Sequence, residues 1–245
     1  MSEDNFQNPK TLVLFDVGAV LLELKYAQVY QAGAKISGRS PEEFRKLSSE
    51  LEVASLNGDI PDKDYQERLK ELLNHPDMTR SELEEFVKQT WGTEITPVVE
   101  LKQRVYFEGG CPVNIFSNIN KFAWEYLTRT YPRMMQTFRP DAIPICSYLS
   151  GGTKPKSMNM YRDGEVSART LGCDKVILID DKESVLQKGI ETFGWHGIHF
   201  TPYIDPNEAI RLQSPTETPF VSAKLFVANS VEKLEQGLRE FGVRV

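Results

Sequence analysis

The sequence predicts an α/β fold, a Rossmann-like parallel sheet with an all-helical block inserted after its first strand. Three observations carry this. The run Leu12-Val13-Leu14-Phe15 is apolar throughout, as expected of a central parallel strand covered on both faces. From Glu23 to Gly109 only helix-like segments follow. Beyond them short apolar runs recur with helices between, the pattern that builds a parallel sheet. Residues 1–22 and 109–245 are thus expected to form the core, and 23–108 the insert.

Within the insert, helices are expected over Tyr26–Ile36, Pro41–Ala54, Pro61–Leu73, Ser81–Trp91 and Pro97–Phe107. Ser40-Pro41, Asp59-Ile60-Pro61, Thr79 with Glu82, and Thr96-Pro97 are cap or first-turn signals for four of them. Leu83, Phe86, Val87 and Trp91 repeat at helical spacing. Of the later strands, Val113–Phe116 and Val176–Ile179 are clear, and Ala142–Cys146 is weaker. Gly197–Phe200 follows a helix ending near Gly194, and Lys224–Val227 offers an edge strand. Gly164 is expected to interrupt its helix, and Ile204–Val221, rich in Pro, Ser and Thr, to be an irregular excursion. The last helix is capped by Ser230, repeats Val231, Leu234, Leu238 and Phe241, and stops at Gly242.

Composition excludes several functions. A chain of 245 residues, 40% hydrophobic and 26% charged, can bury a full core. Its net charge of -6 and lack of a basic block argue against a phosphate-tracking nucleic-acid surface. Cys111, Cys146 and Cys173 lie far apart, with neither disulfide nor zinc spacing. No apolar run approaches the roughly 18 residues of a membrane span. The expected protein is soluble and cytoplasmic, without nucleic-acid or membrane partners; its oligomeric state is not encoded legibly.

Polar residues follow the strand ends. Asp16 ends the first run, Ser117-Asn118 follows Phe116, Lys154-Pro155 follows the weaker run, and Asp180-Asp181 follows Ile179. Parallel strands point their carboxyl ends the same way, so these side chains should converge on one rim, where open α/β sheets bind ligands. Three gathered carboxylates repel one another unless a hard cation joins them, and Mg²⁺ suits a site of few carboxylates and phosphate oxygens. A hydroxyl, an amide and an ammonium add donors for a tetrahedral anion. Asp16 is then placed to attack phosphorus.

This ordered set, with a helical insert after its first member, resembles the haloacid dehalogenase (HAD) superfamily, in the branch with a helical cap. FDVGAVL beside SNINK is also similar to the pattern of glucose-1-phosphate phosphatase-type proteins. The resemblance implies a Mg²⁺-dependent phosphomonoester hydrolase acting on a small phosphorylated metabolite through an aspartyl-phosphate. Asp16 would be the nucleophile, Ser117 and Asn118 would bind the transferring group, and Lys154 would neutralise both. Mg²⁺ would be held by Asp16, the Gly18 carbonyl, Asp181 and, in support, Asp180. Most phosphatases of the superfamily carry a second aspartate at the position of Gly18 as general acid and base. Its absence favours leaving groups that depart as stable anions, and Gly18→Asp is expected to raise turnover on poorer ones. The alternatives are a catalytically silent binding or regulatory protein of the same fold, or a haloacid dehalogenase. His75, His196 and His199 lie outside the motifs and read as structural or surface residues; Arg39 and Arg45 read as exposed helix arginines.

Overall fold

Leu12, Val13, Leu14 and Phe15 are completely buried in strand β1 (Thr11–Phe15), and the alternation of their side chains explains why. Val13 and Phe15 enter one apolar cluster and Leu12 and Leu14 another, so helices cover both faces. The computed structural model describes residues 10–137, 143–204 and 220–245. In it β1 is followed by β2 (Leu22–Leu24), α1 (Tyr26–Ser37), α2 (Pro41–Leu56), α3 (Asp62–Leu72), α4 (Arg80–Val87), β3 (Trp91–Glu94) and α5 (Thr96–Phe107). Then come β4 (Val113–Ser117), α6 (Lys121–Thr130), α7 (Pro132–Met135), β5 (Ile145–Cys146), α8 (Ser147–Ser150) and α9 (Asn159–Thr170). The chain continues as β6 (Lys175–Asp180), α10 (Glu183–Phe193), β7 (His196–Phe200), β8 (Leu225–Ala228) and α11 (Val231–Glu240).

Six strands form one sheet in the order β5-β4-β1-β6-β7-β8, every pair parallel. From β1 the chain extends the sheet first through β4 and β5, then on the other side through β6, β7 and β8. The crevice beside β1 at the carboxyl edge is therefore a topological switch point. β6 repeats the two-faced pattern of β1, with Ile177 and Ile179 in one cluster and Val176 and Leu178 in the other.

Helices α1 to α4 have their own core, in which Val29, Phe44, Tyr65, Leu69, Leu83, Phe86 and Val87 meet Phe122 of α6. The capping box of Thr79 with Glu82 forms, and Ser40 accepts from the Glu43 N–H. The expectation of an all-helical insert is corrected at Trp91. A 3-10 turn at Lys88–Thr90 ends the helix, and Trp91–Glu94 pairs antiparallel with Leu22–Leu24 to make a small ribbon. Val98, Val99, Leu101 and Val105 of α5 pack in the cluster on the sheet, not with α1 to α4.

Gly164 does not interrupt its helix. A β-carbon there would lie 2.6 Å from the Trp195 ring, so the glycine lets α9 approach that indole. Most of Ile204–Val221, and Ala142 of the weak strand, lie outside the described residues. The three cysteines are free and buried. Among the described residues no helix is long and apolar enough to cross a membrane.

Candidate active site at the carboxyl edge of the sheet

Four of the residues singled out from the sequence meet beside β1. Asp16 follows β1 directly, Asp180 ends β6, Asp181 comes next, and Lys154 arrives on the loop between α8 and α9. All four are nearly inaccessible. Burial would be costly for such a set without pairing, and Lys154 supplies part of it. Its Nζ lies 3.0 Å from Asp16 Oδ1, donates to Asp180 Oδ2 at 2.6 Å and to the Phe116 carbonyl at 2.7 Å, and stands 5.2 Å from the centre of the Phe116 ring. Burial alone would lower the pKa of this ammonium, but the Asp16 and Asp180 carboxylates outweigh it and raise it.

Even with the second positive charge of Lys182 nearby, three carboxylates are not balanced. Burial pushes Asp181 up to about 7, with the charges of Asp180 and Asp16 adding and those of Lys182 and Lys154 opposing. Asp180 is raised as well, chiefly by burial. Asp181 Oδ1 is buried without a hydrogen-bond partner. One carboxylate oxygen from each of Asp16, Asp180 and Asp181 lies within 4.8 Å of the others. Oxygens bound to one Mg²⁺ at about 2.1 Å are about 3 Å apart when adjacent and at most about 4.2 Å when opposite, so the three side chains have to draw together for all of them to coordinate. The orphaned oxygen, the hard-oxygen donors and the excess negative charge all fit a divalent cation. The turn after Asp16 fits too: Ala19 N–H donates to the Leu22 carbonyl and Leu22 N–H to that of Val17, bonds that do not use the Gly18 carbonyl.

Asn118 acts on the site through Lys154. Its Nδ2 donates to the Lys154 carbonyl and its Oδ1 accepts from the Lys154 N–H, both at 2.9 Å, which fixes the loop carrying the lysine. Ser117 is buried at the end of β4, in register with Cys146. Asp16 Oδ1 also accepts from the Val17 N–H at 2.8 Å. Asp180 Oδ1 accepts from the Lys182 N–H at 2.9 Å.

Three contributors were not legible in the sequence. Lys182 brings a second positive charge to Asp181, Asp16 and Asp180, and its own pKa is raised: burial lowers it, but these charges outweigh burial. His199 Nε2 lies 3.0 Å from the Asp181 carbonyl, because His199 stands in register with Asp180 across β6 and β7. Leu24 covers Gly18: a β-carbon on residue 18 would lie 2.6 Å from Leu24 Cδ1. Arg39 is held elsewhere, donating to the Leu72 carbonyl at 2.6 Å.

The sequence matches no protein-family model and no curated protein. The structure, by contrast, is similar to a HAD family enzyme from Bacteroides thetaiotaomicron, with a TM-score of 0.64 and 17% identity over 83% of this chain and 99% of that one. The wild-type form of that enzyme in complex with magnesium and inorganic phosphate gives 0.63 and 18% over 82% and 98%. L-2-haloacid dehalogenase from Xanthobacter autotrophicus gives 0.60 and 17% over 94% and 98%. At such identities the likeness is one of fold, and the fold is HAD-like.

Proposed function

We propose that the protein is a Mg²⁺-dependent phosphomonoester hydrolase of the HAD superfamily, acting on a small phosphorylated metabolite. The observation that carries this reading is the buried trio Asp16, Asp180 and Asp181, with one oxygen from each within 4.8 Å of the others and Asp181 Oδ1 unpartnered, in excess over the ammonium groups of Lys154, held on Asp16 and Asp180, and Lys182 nearby. The magnesium and phosphate complex of the Bacteroides enzyme supports it.

Asp16, Asp181, Asp180 and the Gly18 carbonyl would hold the ion, which when bound supplies positive charge against the phosphoryl oxygens. Lys154 and the Val17 N–H hold Asp16 Oδ1, leaving Oδ2 to attack. The Oδ2–phosphorus bond forms as the bond to the leaving oxygen breaks, and that oxygen departs with the electron pair. Lys154 neutralises charge on the nucleophile and on the transferring group, with Ser117 and Asn118 at the adjoining loop. Water then attacks phosphorus, releasing phosphate and restoring the Asp16 carboxylate. Since Gly18 offers no proton, substrates whose leaving oxygen is a stable anion suit the site best: acyl phosphates or anomeric sugar phosphates.

Phosphate release with Mg²⁺ from acetyl phosphate, a sugar 1-phosphate and p-nitrophenyl phosphate tests the proposal. Asp16→Asn should lower it by on the order of 10³-fold or more, as loss of an attacking group does. Equal release from both proteins would shift the reading to a silent binding or regulatory protein, which the Leu24 side chain over Gly18 favours. The dehalogenase reading draws on the Xanthobacter likeness and would require chloride release from 2-chloropropionate that persists in EDTA.

A further inference from the structure

The end of the sheet opposite the acidic rim carries a second concentration of charge, of the other sign. A cleft of about 540 Å³, within the range of small-molecule sites, opens at the amino-terminal edge of β6 and β7. Arg169 of α9, Lys175 at the start of β6 and Lys224 just before β8 line it. Each is held by a neutral backbone carbonyl. Arg169 Nε donates to Glu165 O at 3.3 Å, Lys175 Nζ to Phe241 O at 2.5 Å and Lys224 Nζ to Gly194 O at 2.7 Å. Among the described residues none of the three is joined to a carboxylate at ion-pair distance. Of the carboxylates in the cleft, Glu165 accepts from the Trp195 indole at 2.6 Å, and Asp174 sits exposed beside Lys175.

His196 reports the local field. It lines the same cleft, its Nδ1 is buried without a partner, and its pKa falls to about 4, through burial first and then the charges of Lys175 and Lys224. With three cations against two carboxylates, the cleft is a net positive locus with the shape of a binding site in a chain of net charge -6.

We infer that this cleft is a second ligand site, taking a small phosphate-class anion such as inorganic phosphate or pyrophosphate. A guanidinium fork and two ammonium groups match the several oxygens of a tetrahedral oxyanion, and each retains donors beyond its one carbonyl bond. Lys175 opens the strand that Asp180 closes, so a ligand here binds the far end of the element that carries the acidic pair. The inference goes beyond the hydrolase reading and does not depend on it.

Titration calorimetry of the full chain with inorganic phosphate and with pyrophosphate, in EDTA, tests it. Without a divalent ion the three-carboxylate rim repels such anions, so binding there is disfavoured. Saturable binding is expected. It should weaken by about tenfold or more in Arg169→Gln/Lys224→Gln, consistent with loss of two charge-assisted contacts, and persist in Lys182→Gln, which removes a cation of the acidic rim. Lys224→Gln alone, which removes one of the two cations whose hydrogen bonds are exposed, should give an intermediate loss. NMR titration of His196 should show its pKa rising from about 4 once the anion offsets the two ammonium charges. No saturation by about 10 mM probe, equal affinity in the double variant with native circular dichroism, or loss of binding in a natively folded Lys182→Gln would each overturn the inference.

Discussion

Gly18 separates two meanings of an absent side chain. Read from the sequence, it is a missing acid that Asp would restore. Read in the structure, its space is filled, because Leu24 Cδ1 sits 2.6 Å from where a β-carbon would go. Gly18→Asp alone should therefore force the partly buried Leu24 side chain to shift, lowering the melting temperature by the equivalent of about 1 kcal/mol, the low end of overpacking costs, and not improve turnover. Combined with Leu24→Ala, which clears the space, it should raise phosphate release from poor leaving groups above that of Leu24→Ala alone. Thermal melts and steady-state rates on the four proteins decide this; equal rates for the last two would mean that residue 18 does not face the leaving oxygen. The acidic trio and Lys154 were legible because each follows an apolar run. Leu24 and Lys182 were not, since a leucine in an apolar stretch and a lysine beside two acids look the same whether or not they reach a site.

Strands proved easier to read than their exceptions. β1, β4 and β6 agree with the apolar runs to within a residue at either end, because a strand buried on both faces leaves a continuous signal. Trp91–Glu94 carries no such signal. Trp91 extends the helical spacing of Leu83 and Val87, and its partner strand lies about seventy positions earlier, at Leu22–Leu24. Lys102 is a similar case. It sits on the buried side of α5, completely inaccessible, and donates to the Met134 carbonyl and Thr137 Oγ1 at 2.5 Å each, acceptors no local pattern could foretell. Burial pushes its pKa down to about 7, against the opposing charge of Glu94. Between that value and the ordinary lysine value near 10.4 the unfolded chain binds the proton and the folded chain does not, so stability rises with pH in that window. The slope should be at most about 1.4 kcal/mol per pH unit. Urea melts at intervals from pH 7 to pH 10 should show the rise in the parent protein and a flatter profile in Lys102→Met; parallel profiles would count against the buried lysine as its source.

At the scale of the whole molecule, the parallel sheet sets its own electrostatic problem: order β5-β4-β1-β6-β7-β8 brings the ends of β1 and β6 side by side and stacks three carboxylates at one rim. The consequence for stability has a definite sign. Asp181 has its pKa raised to about 7, mainly by burial, and Asp180 is raised in the same direction. Between the unfolded carboxylate value near 3.9 and that raised value the folded protein binds more protons than the unfolded one, so stability without metal falls as pH rises. Mg²⁺ needs the deprotonated ligands and should return what the charge costs, by about 2.7 kcal/mol at a free concentration about 100-fold above its Kd. Melting temperatures in EDTA should thus decline between about pH 5 and pH 7. The increment on adding Mg²⁺ should grow over the same window, below the range in which Lys102 acts. Asp181→Asn, which removes the titrating carboxylate and keeps its shape, should flatten the decline and abolish most of the increment. A Mg²⁺ increment of equal size on both sides of pH 7, or one that survives in Asp181→Asn, would mean that the ion binds somewhere other than the end of β6.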